Sequence, residues 1–382
     1  MSWAEWVRRE SERIRGAGQW RAPRDLDGAG PEGKLAPDGR AVVQFASNDY
    51  LGLTQHPAVV AAAHAALDRW GAGSGAARLV VGSRPLHTEL EAELATWKRT
   101  EAAVLFPTGF AANLGALTVL AGPGTLVCSD ELNHASIIDG TRLSRAEVAI
   151  YPHRDLHALD RLLADRGRGR RALVVTDTVF SMDGDLADVD ALVECCAKHD
   201  ALLLVDEAHA VLGPEIEDDG VIRVGTLSKT LGALGGFVAG PRRFTDLVVN
   251  RARSYIFTTA PTPADTAAAL AALRVVQSSE GEILKALLRA NIELLAPGHP
   301  SPIVPVVCGE ERRALEAAAA LLERGILVPA IRPPTVEPGT SRLRVTLSAA
   351  HTPDQVRALC DALIEIGFPI EPAEHAGPGI SP

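Results

Sequence analysis

The sequence predicts an α/β protein: a large domain on a mostly parallel sheet, and a smaller C-terminal α/β domain. Three observations predict it. Short apolar runs of strand length recur between residues 102 and 239, with helix-length runs between them. Those runs lack the apolar–polar alternation of a half-exposed sheet, so both sheet faces are expected to be covered. The residues richest in chemical options, Ser181, Asp206, His209 and Lys229, all fall just past such runs. Open α/β sheets bind their ligands at the carboxyl ends of strands.

Taken in order, residues 1–45 open with a charged amphipathic stretch, Met1–Glu10. Residues 16–40 are rich in Gly, Pro and Arg and read as an arm or linker. The large domain is expected over 46–283. Ala58–Trp70 and Thr88–Trp97 have helical period, the latter with Leu90 and Leu94 on one face. Ala102–Phe106, Gly124–Cys128, Ala172–Thr176 and Ala201–Val205 read as buried strands, and Val221–Thr226 and Gly236–Ala239 add two more. Helical runs at Ala112–Leu120, Leu156–Leu163 and Val189–Lys198 intervene, and Pro263–Ser278 leads out. The smaller domain, 284–370, carries strands at Ile303–Val307 and Leu343–Leu347 and helices at Glu311–Arg324 and Pro353–Ile366. Residues 371–382 are rich in Pro and Gly and are expected to be a disordered tail.

With 382 residues, 47% of them hydrophobic and 23% charged, the composition is that of a soluble globular enzyme. A formal net charge of -10 argues against a nucleic-acid or anionic-membrane partner, and no apolar run is long enough to span a bilayer. Nothing at the start resembles a signal peptide. The five cysteines form no C-x-x-C pair and no zinc spacing, so no metal is expected, and a cytoplasmic, reducing setting is.

The chemistry begins with Asp206, which ends the apolar run Leu202–Val205, and Lys229, twenty-three residues later in Thr226-Leu227-Ser228-Lys229. An acid at a strand end can keep a pyridinium nitrogen protonated, and a lysine at the next strand end can form a Schiff base with an aldehyde. The pair reads as a pyridoxal phosphate (PLP) site. Either residue alone would read as a strand-end cap or a solvated lysine. Phe106-Pro107-Thr108-Gly109-Phe110 follows a strand and opens a helix, which suits a phosphate or a plain turn. Gly71–Arg78 is glycine-rich without a P-loop ending. His134 could stack on a cofactor ring, His209 could contact cofactor or substrate, and Ser181 could donate to a cofactor oxygen or serve its turn. Arg342 and Arg344 alternate on a strand, so both point to one face. One of them could hold a carboxylate, or both could be surface arginines on an edge strand.

Together these segments resemble the α-oxoamine synthase family of fold-type-I PLP enzymes over residues 40–366. The resemblance rests on Ser47-Asn48-Asp49-Tyr50-Leu51-Gly52-Leu53, Gly71–Gly75, His87–Glu91, Thr108–Asn113, His134–Ser136, Val179–Asp185, Asp206–His209 and Thr226–Lys229. Residues 331–351 and the opening Met1-Ser2-Trp3 are most similar to the member that joins L-alanine to a pimeloyl thioester, on coenzyme A or a carrier protein, in biotin synthesis. The resemblance implies that Lys229 carries the cofactor and moves the substrate proton, that Asp206 pairs with the ring nitrogen, and that His134 stacks on the ring. It implies that His209 and Ser181 contact the ring hydroxyl region and that Gly109, Phe110 and Thr226 hold the phosphate. It further implies a homodimer in which Thr258 or Thr259 reaches the other subunit's cofactor, with Arg344, Asn48 and Thr335 at the substrate and Arg21 at the far end of the acyl chain. One departure stands out. Between His209 and Lys229 the family carries a longer loop; here Ala210–Gly220 is short.

Overall fold

The computed structural model describes residues 1–167 and 169–370. The expected tail, 371–382, lies outside the described residues. The first elements are helix α1 (Trp3–Gly16) and strands β1 (Leu26–Ala29), β2 (Glu32–Leu35) and β3 (Arg40–Gln44). Then follow α2 (Pro57–Trp70), α3 (Pro85–Trp97), β4 (Ala102–Phe106), α4 (Gly109–Leu120), β5 (Thr125–Asp130) and α5 (Ala135–Ser144). Next come β6 (Glu147–Tyr151), α6 (Leu156–Asp165), β7 (Arg171–Asp177), α7 (Val189–Lys198), β8 (Leu202–Asp206), β9 (Ile222–Thr226) and β10 (Gly236–Gly240). The chain continues through α8 (Arg242–Arg251), α9 (Arg253–Ile256), α10 (Pro263–Val276), α11 (Ser279–Leu295), β11 (Ile303–Gly309) and α12 (Glu311–Glu323). It closes with β12 (Ile326–Leu327), β13 (Ala330–Ile331), β14 (Ser341–Thr346) and α13 (Pro353–Glu365).

Contacts divide the chain into two compact units. The larger comprises residues 47–304 and 346–356; the smaller comprises 1–46, 305–345 and 357–370.

The larger unit is built on a seven-stranded sheet of order β4-β10-β9-β8-β7-β5-β6. Strands β6, β5, β7, β8 and β9 run parallel, and β10 is antiparallel to both its neighbours. Side chains alternate across a strand. Val127, Leu173, Val175 and Leu204 therefore enter one core cluster with residues of α4 and α5. Leu126, Cys128, Val174, Leu203 and Val205 enter a second with α6 and α7. Both faces are covered, which is why the strands read as continuous apolar runs. The expected strands and helices of this unit form within a few residues of their expected ends.

In the smaller unit, β1, β2, β3 and β12 make one sheet, and β14 is the centre of another between β11 and β13. Two expectations are corrected here. Residues 16–40 are no plain linker: β1 and β2 form a hairpin with Gly28 opposite Gly33. The strands approach so closely that a Cβ on Gly28 would lie 2.4 Å from the Glu32 carbonyl, so these glycines serve a tight pairing. Arg342 and Arg344 do not lie on an exposed edge strand: β14 is central and both arginines are buried.

Candidate active site

The site forms where β5, β7, β8 and β9 end, together with the start of α4. A cavity of about 220 Å³ is lined there by Gly109, Phe110, His134, Asp206, His209, Thr226 and Lys229, with Asn113 and Asp177 added. It thus gathers seven of the residues singled out from the sequence.

Asp206 ends β8 and is 5% exposed. Its Oδ2 accepts from Asn113 Nδ2 at 2.6 Å, and its Oδ1 from the Ala208 amide at 2.9 Å. Each oxygen keeps acceptor capacity for a further donor. Asn113 also donates to Ser136 Oγ at 2.9 Å, while its own Oδ1 is buried without a partner. Ser136 Oγ in turn lies 2.7 Å from His134 Nδ1, so the His134 ring is turned by a side chain tied to the Asp206 carboxylate. His134 is exposed on one side. Crowding around the ring still lowers its pKa, and nearby Lys229 adds to that against the pull of Asp206.

Asp177 stands opposite Asp206 in the β7–β8 register. It is buried, and its Oδ2 accepts the His134 backbone N–H at 2.8 Å. Burial, then the like charge of Asp206, pushes its pKa well up.

Lys229 is half-buried beyond the end of β9, and its Nζ lies 2.7 Å from His209 Nε2. His209 Nδ1 lies 2.5 Å from the Tyr50 hydroxyl, which lies 3.1 Å from Asn48 Oδ1. An ammonium only donates and an amide oxygen only accepts, so the donors run one way. Lys229 donates to Nε2, Nδ1–H donates to Tyr50, and Tyr50 donates to Asn48. Tyr50 and His209 are both buried, which keeps bulk water from breaking this chain.

At the other end Thr108 caps α4, its side chain accepting from the Ala111 amide at 3.0 Å. The first N–H groups of the helix, at Gly109 and Phe110, have no partner within it and face a favourable end for an anion. A Cβ on Gly109 would sit 3.0 Å from Thr226 Cβ, and one on Gly236 would sit 2.5 Å from the Gly109 nitrogen. Glycine at both positions lets backbone close on this corner. The cavity thus offers an amine for an aldehyde, a buried carboxylate for a ring nitrogen and a helix N-terminus with Thr226 for a phosphate. This donor set fits pyridoxal phosphate.

The other expected residues lie elsewhere. Ser181 sits in the turn after β7 and does not line the cavity; Thr258 and Thr259 lie in the loop after α9 and do not line it either. That loop is anchored to the glycine-rich segment: Ser74 Oγ donates to the Pro261 carbonyl at 2.6 Å, and the Ala260 amide donates to the Ala76 carbonyl. In the smaller unit, Arg21 Nη2 donates to Thr335 Oγ1 at 3.2 Å, and Arg344 is buried on β14. Asn113, Ser136, Asp177 and Tyr50 were not singled out for these contacts. Asn113 and Tyr50 stand inside quoted motifs, and Asp177 ends an apolar run much as Asp206 does, but their pairings depend on strand register.

The profile of the class I and II aminotransferase family matches residues 40–363. The chain belongs to that family. Within it, the relatives place the chain among the α-oxoamine synthases. It is 50% identical to an 8-amino-7-oxononanoate synthase of Anaeromyxobacter sp. (strain K), over 97% of both chains. It is 49% identical to one of Methylobacterium sp. (strain 4-46), over 90% of this chain and 94% of that one. Among solved structures, a serine palmitoyltransferase from S. paucimobilis with a bound PLP–myriocin aldimine matches with TM-score 0.87 at 30% identity, covering 94% of this chain and 96% of that one. An 8-amino-7-oxononanoate synthase from Francisella tularensis matches with TM-score 0.70 at 27% identity, covering 85% and 96%. The fold is therefore that of the fold-type-I PLP transferases. Among the described residues, no helix is long and apolar enough to cross a membrane.

Proposed function

We propose that this chain condenses L-alanine with a pimeloyl thioester, giving 8-amino-7-oxononanoate, carbon dioxide and free thiol, with pyridoxal phosphate in the cavity. The observation that carries the reading is the placement of Lys229 Nζ, the Asp206 carboxylate and the start of α4 around one cavity. The choice of alanine and a pimeloyl chain follows the names of relatives about half identical over nearly the whole chain.

Pyridoxal phosphate, when bound, supplies an electron sink for the carbanion formed at the amino acid's Cα. Asp206 accepts the ring N–H and, held by Asn113 and Ala208, keeps that proton in place. His134, turned by Ser136, covers the ring. Gly109, Phe110 and Thr226 bind the phosphate, and His209 and Ser181 serve the ring hydroxyl. Lys229 Nζ would hold the cofactor through its aldehyde and, as a free amine beside the amino acid, would remove the Cα proton. Through His209 and Tyr50 it has a path on which to share that proton. A new bond forms from Cα to the thioester carbonyl, and the carbon–sulfur bond breaks. The carboxylate leaves as carbon dioxide, and Lys229 Nζ returns a proton to the carbon. Arg344 binds the amino-acid carboxylate, with Asn48 and Thr335 lining the substrate and Arg21 at the distal acyl end. Thr258 and Thr259 reach the cofactor phosphate of a second copy, so the working unit is a homodimer, which sedimentation at falling concentration checks.

Thiol release from a panel of acyl thioesters, with L-alanine, glycine and L-serine compared, tests the reading. L-alanine with pimeloyl thioester should exceed glycine by at least about tenfold, the scale set by one methyl group in a pocket. The serine palmitoyltransferase likeness gives the second reading, and a preference for L-serine with a long acyl chain would select it.

A further inference from the structure

We propose that His153, which lies outside the cofactor cavity, is a positioning residue for the cofactor: donating to two carboxylates at once, it ties the turn that carries Ser181 to the loop that carries His134. This rests on the role given to Ser181 above, at the ring hydroxyl.

The two segments leave different strands of the larger unit. His134 follows β5, whose last residue is Asp130, and Ser181 lies in the turn after β7. That turn is closed on itself. The Phe180 amide donates to the Asp185 carbonyl at 3.0 Å, the Gly184 amide donates to the Phe180 carbonyl at 2.8 Å, and Val179 pairs with Leu186. Its own backbone therefore sets its shape. Where the turn stands relative to His134 depends on what bridges the two segments.

His153 follows β6 and is such a bridge. Its Nδ1 lies 3.0 Å from Asp130 Oδ1, and its Nε2 lies 2.8 Å from Asp185 Oδ2. An ionised carboxylate only accepts, so both bonds form only when both ring nitrogens carry a proton. A neutral imidazole would serve one carboxylate and turn a lone pair on the other. Burial opposes a charge here, but the hydrogen bonds and charges of Asp130 and Asp185 outweigh it and raise the pKa to about 9. The ring also stands edge-on to Phe180, the neighbour of Ser181, with centroids 4.3 Å apart.

Each end of the bridge reaches a residue placed at the cofactor. Asp130 Oδ1 also accepts the Leu132 amide at 2.9 Å, two residues before His134. Glu131 Oε1 accepts the His153 amide at 2.7 Å, and Asp130 Oδ2 accepts the Arg154 amide at 2.9 Å, so the chain on either side of the imidazole is fixed as well. Arg154 Nη1 reaches Asp185 Oδ2 at 3.3 Å, but its side chain is largely in solvent, where such a pair holds weakly. A misplacement of about 1 Å is enough to spoil a contact at a reacting centre. Loss of the imidazole bridge should therefore be felt at Ser181.

The test measures PLP affinity and the circular dichroism of the bound cofactor, without substrates and at pH 7, for wild type, His153→Gln, Ser181→Ala and the double variant. Glutamine offers one donor and one acceptor, so it cannot serve two carboxylates. Each single variant should weaken PLP by about tenfold, the scale of one hydrogen bond to a charged group. If His153 acts through Ser181, the double variant should also lose about tenfold, where independent losses would multiply to about a hundredfold. The cofactor's dichroism should fall in His153→Gln while the far-ultraviolet signal of the fold is kept. Asp185→Ala, which leaves His153 on Asp130 and releases only the turn, should reproduce the loss, and it carries the test if His153→Gln does not fold. PLP affinity unchanged in either His153→Gln or Asp185→Ala, or losses that multiply in full in the double variant, would overturn the bridge and leave the role of Ser181 standing. Unchanged affinity in Ser181→Ala would refute that role and the bridge with it.

Discussion

Lys229 Nζ lies 2.7 Å from His209 Nε2, and the hydrogen bonds continue from His209 through Tyr50 to Asn48. The lysine proposed to hold the cofactor is thus also the first member of a hydrogen-bond chain whose two middle members, His209 and Tyr50, are buried. Borohydride reduction of the cofactor-loaded enzyme should fix one cofactor per chain, and peptide mapping should find it on Lys229. Lys229→Ala should retain cofactor binding through the α4 corner and lose turnover by at least about 10²–10⁴-fold, the usual contribution of a positioned proton-transfer group. Label on another lysine would refute the assignment.

Asp206 and Asn113 make a second pair that activity should expose. Asp206→Asn leaves the shape but removes the charge that holds a ring proton, and turnover should fall by at least about 10²–10³-fold, on the scale of a preorganised electrostatic partner. Asn113→Ala removes only the group that orients the carboxylate. Its loss should be smaller, about 10–100-fold, as for other outer partners of a reactive group. Steady-state kinetics at saturating cofactor decides both, and a larger loss in Asn113→Ala than in Asp206→Asn would reverse the roles.

Arg344→Ala should raise KM for the amino acid far more than KM for the acyl thioester. Truncating one side of a buried charged pair costs about 2–5 kcal/mol. The control is Arg342→Ala, buried on the same strand with its Nε donating to the Thr340 carbonyl at 3.0 Å. A larger effect there would move the carboxylate site to Arg342.

His153 predicts how stability depends on pH. Its Nδ1 lies 3.0 Å from Asp130 and its Nε2 2.8 Å from Asp185, which joins the end of β5 to the turn that carries Ser181. Burial lowers its pKa, but the hydrogen bonds and charges of the two carboxylates outweigh it and raise the value to about 9. A folded-state pKa above the unfolded one stabilises fully below about pH 6.5 and loses that stability as pH rises through about 9. Wild type should therefore exceed His153→Gln by about 2–3 kcal/mol near pH 6, with the gap narrowing toward pH 9. Chemical denaturation of both proteins across that range checks it, and a gap independent of pH would show that His153 is not held charged.

The legible parts of this molecule follow from burial. Strands β4 to β10 are mostly apolar because helices cover both faces, so most of them, and the strand-end positions of Asp206 and Lys229, could be placed from composition alone. Strand β6 escaped because it lies at the edge of the sheet with Glu147, Val148 and Ile150 exposed. The β1–β2 hairpin escaped because its glycines serve close pairing and its strands bury little. The contacts that tune the site were illegible for a different reason. Asn113 reaches Asp206 across 93 residues and Tyr50 reaches His209 across 159, and only the fold sets such distances. Arg223 reads as one polar residue inside an apolar strand, and its surroundings appear only once the short loop folds over it.

The most direct test supplies L-alanine labelled in its carboxyl group, together with pimeloyl thioester, to the cofactor-loaded enzyme. Labelled carbon dioxide, free thiol and 8-amino-7-oxononanoate should appear in a one-to-one-to-one ratio, and none of them should form with Lys229→Ala. Release of pyruvate with the label retained and the amino group passed to a keto acid, as an aminotransferase would do, would contradict the account.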